Sequence, residues 1–131
     1  MQLILRALAY LVLLGLIVEV YLVGAVLFAG TAFEPHRTLG HSLGPPILLL
    51  LVLALIDRPG RRIVGLSLLL VALTLLQFLL PSLRGSVPWA AALHAINALA
   101  LLGVTAAIAR SAGAPATHAE ARAAQPAPSE P

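Results

Sequence analysis

The chain has 131 residues, of which 60% are hydrophobic and only 10% are charged, and its mean hydropathy is +1.01. A soluble domain carries roughly a quarter charged residues, so this composition excludes a soluble protein and predicts an integral membrane protein. The absence of cysteine excludes disulfides and thiolate metal sites, and the eight basic residues, all arginines scattered between apolar stretches, exclude a nucleic-acid interface.

Four apolar runs predict an all-α, four-helix transmembrane bundle over residues 1–110. A helix needs ~20 apolar residues to cross the ~30 Å hydrocarbon core of a bilayer. The second run reaches that length only if its helix begins near His36. The first run follows Arg6 but is too long for the apolar core of a signal peptide, so we expect it to be retained. The predicted helices are about 7–33, 36–56, 63–83 and 87–109.

The arginines predict how the bundle is oriented. Arg37 and Arg84 lie on one side of it, and the other six lie at the termini or in the loop between the second and third helices: Arg6, Arg58, Arg61, Arg62, Arg110 and Arg122. By the positive-inside rule, both termini and that loop are cytoplasmic, which gives two in–out–in hairpins in a bacterial cytoplasmic membrane. Residues 111–131 are rich in alanine and proline and predict a disordered cytoplasmic tail.

Polar residues recur with the same spacing in the two hairpins. Glu19 and His36 are 17 positions apart, and so are Gln77 and His94. Each hairpin therefore carries a polar residue in its first helix and a histidine near the outer end of its second helix. Parallel repeats about an axis along the membrane normal are known in membrane bundles, and the spacing indicates a weak repeat of this kind.

His94 is an ionisable residue within the fourth apolar run. Such a residue is costly inside a bilayer and is a functional hypothesis by default. Asn97 lies on the same helix face at i+3, and Ala90 and Ala98 flank His94 one turn away. In one interpretation the small residues leave room for a flat macrocycle, and His94 is an axial iron ligand. In the other they allow close helix packing, and His94 and Asn97 form interhelical hydrogen bonds.

His36 and His41 are alternative partners for His94. Gly40 and Gly44 follow His36 at i+4 and i+8. This glycine stripe and the repeat spacing both favour His36. The two candidates lie about 140° apart around a helix, so they cannot both face one partner.

Depth in the membrane favours His41 instead. His41 lies 16 residues before Asp57 at the cytoplasmic end of its helix, and His94 lies 16 residues before Arg110. The Pro45–Pro46 pair disturbs the second helix, however, and prevents a reliable count of depth there. The sequence therefore leaves the choice between His36 and His41 open.

Other polar residues have two interpretations each. Glu19 lies near the middle of the first helix. In one interpretation it takes part in a proton path or binds the edge of a cofactor, and in the other it is a neutral carboxyl group hydrogen-bonded to another helix. Gln77 predicts an interhelical hydrogen bond. Glu34 and Arg37 flank His36 at the outer surface, where they either orient its ring or hold a propionate-like anion, or are simply solvated.

Two motifs resemble those of the haem A synthase family. The segment Glu34-Pro35-His36-Arg37 is similar to its outer-side Glu-x-x-His-Arg motif, with one residue fewer between Glu and His, and Gln77 with Leu93-His94 is similar to its Gln-then-Leu-His arrangement. That family has two four-helix halves, each of which brackets haem with histidines on its second and fourth helices. The resemblance implies one such half, with His36 and His94 as the axial pair. The family's loop cysteines have no counterpart, so synthase activity is not implied.

The chain more closely resembles a family of small four-helix bacterial membrane proteins of unknown function. The similar motifs are Phe-Glu-x-His-Arg-x-x-Gly over 33–40 and Leu-His-x-x-Asn over 93–97. This resemblance covers nearly the whole membrane portion and implies no established activity.

Three functions fit these observations. The first is a b-type haem protein, with iron held by His94 and either His36 or His41, for electron transfer or haem handling. The second is a structural or accessory membrane subunit without a cofactor. The third is a small proton-coupled transporter that uses Glu19 and must oligomerise to enclose a path. The expected partners are the lipid bilayer and a homo-oligomer or larger membrane complex, and neither a glycine-rich phosphate loop nor a metal-type carboxylate cluster occurs.

Overall fold

The computed structural model describes residues 1–112, which form five α-helices and no β-strand. Two of the helices, α2 and α3, join into one segment, so that four segments are long and apolar enough to cross a membrane. The fold is thus the predicted all-α, four-helix transmembrane bundle. Residues 113–131 of the predicted tail lie outside the described residues. The helices are α1 (Gln2–Ala29), α2 (Glu34–Ser42), α3 (Gly44–Asp57), α4 (Arg61–Ser82) and α5 (Pro88–Ser111), with a short 3₁₀ turn at Leu83–Gly85.

The helix ends depend on local chemistry that hydropathy does not register. Helix α1 ends at Ala29, ahead of the expected 33, because Gly30 adopts a left-handed conformation (φ 64°, ψ 24°) and its N–H bonds to the Ala25 carbonyl. Helices α2 and α5 each have a proline in their first turn, where the missing N–H has no intrahelical partner to lose. Helix α1 also extends back to Gln2, beyond Arg6, the charged residue that bounded the predicted apolar run.

The second membrane segment is interrupted at Leu43, between α2 and α3. Pro45 and Pro46 lack the N–H groups that would bond to the carbonyls one turn earlier, so the helix cannot continue regularly through them. Leu43 keeps helical dihedrals (φ −77°, ψ −19°), and the chain resumes with a bond from the Ile47 N–H to the Leu43 carbonyl. The disturbance expected at the proline pair is therefore present, as a one-residue interruption between α2 and α3.

The helices form a ring in which α1 and α4 each lie between the other two membrane segments. Helix α5 packs against α1 and α4, and α3 also packs against both, while α2 packs against α1. Within residues 1–112, α2 and α5 have no close backbone contact and lie diagonally opposite each other. A space between these two helices can therefore be lined by side chains from all four segments.

Buried residues on α1 and α4 follow one stripe each, at alternating three- and four-residue steps. On α1 the stripe contains Leu5, Ala9, Val12 and Leu16 and continues to Glu19. On α4 it runs from Ile63 through Ser67 and Leu70 to Thr74, and Gln77 continues it. Such spacing is the signature of helices packed at a shallow angle. The core is apolar near the start of α1 and polar toward its C-terminal half.

The surface that faces outward is rich in large apolar side chains. Leu3, Tyr21, Phe28 and Trp89 are each at least 70% exposed. In water such a surface would aggregate, whereas in a bilayer it meets lipid of similar polarity. Buried hydroxyl groups are satisfied within their own helices, as in the bond from Thr105 Oγ1 to the Leu101 carbonyl (2.8 Å).

Candidate functional site

The polar side chains meet at one end of the bundle, here called the His36 end, which contains Glu19, His36, Gln77, His94 and Asn97. On its α1–α2 side, Oε2 of Glu19 contacts Nδ1 of His36. The two side chains are well buried, with 11% and 15% of their surfaces exposed. The other carboxyl oxygen of Glu19, Oε1, is buried and has no hydrogen-bond partner among residues 1–112.

Gly40 lies beside the Glu19 carboxyl group. A Cβ atom at this position would lie 3.7 Å from Oε2 of Glu19, in ordinary van der Waals contact. Gly40 lies one turn beyond His36 on the same face of α2. On the α1–α2 side of the site, the Glu19 carboxyl group thus lies between the His36 ring and the α2 helix at Gly40.

On the α4–α5 side, a continuous hydrogen-bond network joins three residues. Nδ2 of Asn97 donates to Oε1 of Gln77 (2.6 Å) and to the Leu73 carbonyl (2.9 Å). The Gln77 amide nitrogen lies 3.1 Å from Nε2 of His94, and Nδ1 of His94 lies 3.1 Å from the Gln77 carbonyl. Since a carbonyl only accepts, Nδ1 carries the proton and donates it, while Nε2 accepts from the amide.

The two histidine rings face each other across the bundle. The ring centres of His36 and His94 are 6.3 Å apart, and the ring planes are inclined by 79°. This approach is possible because α2 and α5 occupy diagonal positions, so their inward side chains meet over the bundle axis. Nδ1 of His94 donates to the Gln77 carbonyl, whereas Nδ1 of His36 lies against the Glu19 carboxyl group without forming a hydrogen bond.

His41 lies apart from this arrangement. Its Nδ1 contacts the Arg37 carbonyl of its own helix at 2.7 Å, and its ring stacks on Phe78 with centres 5.3 Å apart and planes inclined by 23°. His41 is exposed, in contrast to His36. The structure therefore brings His36, and not His41, together with His94.

A cavity of about 590 Å³ lies between the helices at the His36 end. Its volume falls within the range of ~300–1,000 Å³ that is typical of pockets for small molecules and cofactors. Besides the polar residues, the lining is mainly apolar, with small residues at Gly40, Ala95 and Ala98. Arg37 also lines the cavity, and its guanidinium lies 3.8 Å from the Glu34 carboxyl group, with both side chains two-thirds exposed.

Several neighbours of the site were not predicted from the sequence. Phe33 packs against His36 with ring centres 4.9 Å apart, and Phe78 lines the cavity beside His41. Phe33 begins the Phe-Glu-x-His-Arg motif, but neither aromatic residue was assigned to the site, because aromatic residues are common in membrane segments. The burial of Glu19 could have been predicted from the sequence, because Glu19 follows Leu16 by three residues and continues the buried stripe of α1.

The donor set suits a metal that already has ligands of its own. Within residues 1–112, no group of three or more His, Cys, Asp or Glu side chains is arranged to hold a metal ion. Two imidazoles are too few for a site made of protein ligands alone, but they complete the coordination of a haem iron. Two imidazoles bound to one metal at ~2.0–2.1 Å per bond would have ring centres about 6 Å apart, close to the separation of His36 and His94. The separation of the ring centres thus suits two ligands of one iron, although both ring nitrogens of His94 contact Gln77 in this structure.

The fold and the site together define a small multi-pass membrane protein with a polar cluster at one end of its bundle. The chain is similar to a family of unknown function, DUF6220, whose family model matches residues 19–83, a little under half of the chain. The match begins at Glu19 and includes His36 and Gln77, but ends before α5 and His94. No curated protein and no solved structure matches the chain.

Proposed function

We propose that this protein binds b-type haem between His36 and His94 and serves in electron transfer or haem handling in a bacterial cytoplasmic membrane. The observation that carries the proposal is the pair of facing imidazoles, with ring centres 6.3 Å apart, at the wall of a cavity of about 590 Å³. Cofactor sites in helix bundles are typically built in this way, from side chains on facing helices. The resemblance of the Glu34–Arg37 segment to a haem-bracketing motif points in the same direction.

The two histidines would hold the iron through Nε2, because Nδ1 of His94 is bonded to the Gln77 carbonyl and Nδ1 of His36 lies against the Glu19 carboxyl group. Metal-bound histidines usually donate their second ring N–H to a carboxylate or a backbone carbonyl, which fixes the ring's tautomer and orientation. Glu19 lies in the place of that partner for His36, and the Gln77 carbonyl is that partner for His94. The Gln77 amide, 3.1 Å from Nε2 of His94, must turn away before that nitrogen can bind a metal.

The remaining lining residues would receive the macrocycle and exclude water. Gly40 and Ala98 each lie one turn from a histidine and leave a flat surface beside it. Arg37 is the basic residue at the mouth of the cavity, where it would pair with a carboxylate of the ligand. When haem is bound between two imidazoles, its iron has no open position and exchanges electrons without binding oxygen.

A structural role is the second candidate, and the α4–α5 network favours it. In that network His94, Gln77 and Asn97 satisfy one another without any ligand. Interhelical hydrogen bonds of this kind are a common means of joining membrane helices. In this account the protein is an accessory subunit of a membrane complex, and the polar residues serve only to hold the helices together.

Absorption spectroscopy separates the two candidates. The protein would be produced with an ample haem supply, purified in detergent, and measured in its oxidised and reduced states. The haem proposal predicts the spectrum of a six-coordinate, bis-histidine haem and its loss in His94→Ala. Leu93→Ala, which alters a partly exposed neighbour on α5, is the matched control and should keep the spectrum. A colourless wild-type protein under these conditions would rule the haem proposal out in favour of the structural one.

A further inference from the structure

We propose that the end of the bundle opposite the His36 end binds the phosphate headgroups of anionic phospholipids. This surface, here called the arginine end, lies where α1 and α4 begin and where α3 and α5 end. It contains five arginines: Arg6, Arg58, Arg61, Arg62 and Arg110. The proposal is independent of haem binding, because none of these residues lines the cavity at the His36 end.

The fold does not neutralise the charge of the arginine end. Among residues 1–112, Asp57 is the one acidic residue at this end, since Glu19 and Glu34 belong to the other. The two ion pairs in this part of the chain are also at the His36 end, so none of the five guanidinium groups forms a salt bridge there. All five arginines are exposed. The surface therefore presents positive charge to whatever lies next to it.

A short connection brings three of the arginines close together. Helix α3 ends at Asp57, Arg58 adopts a left-handed conformation (φ 47°, ψ 51°) with its N–H bonded to the Ala54 carbonyl, and α4 begins at Arg61. Arg61 and Arg62 occupy the first two positions of α4, where basic residues are disfavoured by the helix dipole. Helix stability does not account for this cluster, whereas an anion bound beside it would offset the repulsion within it.

The kind of basic residue indicates which anion is bound. All eight basic residues of the chain are arginines, and none is a lysine. A topology signal needs only positive charge, which either residue supplies. The planar guanidinium also offers a fork of N–H donors that matches two phosphate oxygens at once, whereas an ammonium group acts as a point charge. The arginine end is therefore suited to phosphate groups in particular.

Apolar side chains beside the arginines indicate a lipid as the source of the phosphate. Leu55 and Ile56 in the last turn of α3, and Leu3 and Ile4 in the first turn of α1, are each at least 50% exposed. The helices are long and apolar enough to cross a bilayer, so these residues would contact acyl chains just below the headgroups. A phospholipid contacts both the arginines and these apolar residues, whereas free phosphate contacts only the arginines. Basic residues at the ends of membrane helices bind anionic headgroups in this way.

Lipid selectivity measured by electron paramagnetic resonance tests the proposal. The full-length protein would be reconstituted in phosphatidylcholine bilayers with a trace of spin-labelled phosphatidylglycerol or spin-labelled phosphatidylcholine, and the immobilised fraction of each label gives its relative association constant. The wild type should prefer phosphatidylglycerol. Arg62→Gln should lower that preference by up to about fivefold, the usual effect of one basic residue near an anionic membrane surface. Arg84→Gln is the matched control, because it removes one exposed arginine at the His36 end, and it should keep the preference.

Two further comparisons identify the anion. Arg62→Lys keeps the charge but loses the guanidinium fork, so it should retain only part of the preference. Excess inorganic phosphate, compared with chloride at equal ionic strength, should leave the preference of the wild type unchanged. A wild type without preference, equal losses in Arg62→Gln and Arg84→Gln, or full preference in Arg62→Lys would overturn the proposal. Loss of the preference in inorganic phosphate alone would assign the site to a soluble anion and would overturn it as well.

Discussion

Gln77 makes three of the contacts that join α4 to α5 at the His36 end. Its side-chain amide nitrogen and its backbone carbonyl each approach one nitrogen of His94, and its side-chain oxygen accepts from Asn97. The two side-chain contacts need a donor and an acceptor on the same planar amide, whereas the backbone carbonyl is present whatever residue stands at this position.

Replacing Gln77 by leucine should therefore destabilise the bundle. The change leaves the ring nitrogen of His94 and one amide hydrogen of Asn97 without partners in an apolar site. We expect a loss of about 1–2 kcal/mol in the free energy of unfolding, measured by denaturant titration of the detergent-solubilised protein. Ser82→Ala, which removes an exposed hydroxyl bonded within its own helix, should have little effect. Equal stabilities of the two variants would show that the network does not hold α4 and α5 together.

The sequence identified the polar residues more clearly than the choice between the histidines. The 17-residue spacing of Glu19 with His36 and of Gln77 with His94 indicated a weak repeat but did not predict which residues touch, and in the structure both pairs are in contact. Hydrophobic periodicity could not decide between His36 and His41, because α2 is a short polar helix without a buried residue.

At the level of helices, α1 and the α2–α3 break approach each other at Gly15. A Cβ atom at Gly15 would lie 2.6 Å from Cδ2 of Leu43, so the lack of a side chain there allows the contact. Gly24, further along the same helix, has no atom within 4 Å of its Cβ position. The two glycines thus differ in what they contribute, although both lie in the same apolar run.

Enlarging these two glycines should have opposite consequences. Gly15→Leu forces Leu43 and the α2–α3 break away from α1, and we expect a loss of about 1–3 kcal/mol in the free energy of unfolding. Gly24→Leu meets open space and should leave stability unchanged or slightly raised, because leucine favours helix more than glycine does. The same denaturant titration measures both variants. A neutral Gly15→Leu would contradict the packing of α1 on Leu43.

The existence and type of the helices followed from the sequence, whereas their ends did not. Apolar runs of membrane length left no alternative to helices, since other structures cannot satisfy backbone groups in lipid. The end of α1 was misplaced because it depends on the conformation of Gly30, and the break at Leu43 could be located only approximately from the proline pair.

At the level of the whole molecule, the arrangement of helices determines which side chains meet. His36 and His94 face each other only because α2 and α5 are diagonal in the ring. Hydropathy gives the number of helices but not their order around the bundle, so this feature required the structure. The arginines, in contrast, predict on which side of the membrane the His36 end lies.

Cysteine labelling tests the predicted orientation. The chain contains no cysteine, so single substitutions provide a clean signal. Thr31→Cys and Ser86→Cys, in the two loops at the His36 end, should react with a membrane-impermeant maleimide in intact cells. Pro59→Cys, in the arginine-rich loop, should react only after the membrane is opened, because positive loops stay cytoplasmic. Labelling of Pro59→Cys in intact cells would show that the orientation is the opposite of the predicted one.

The central claim is that His36, facing His94, is the second iron ligand and that His41 is not. Its most direct test is a comparison of oxidised absorption spectra of haem-supplied wild type, His36→Ala and His41→Ala. The geometry predicts that His41→Ala keeps the six-coordinate, low-spin spectrum, since its ring stacks on Phe78 away from His94. His36→Ala should lose haem or become high-spin. A low-spin spectrum retained in His36→Ala and lost in His41→Ala, or a wild-type protein without haem, would contradict the claim.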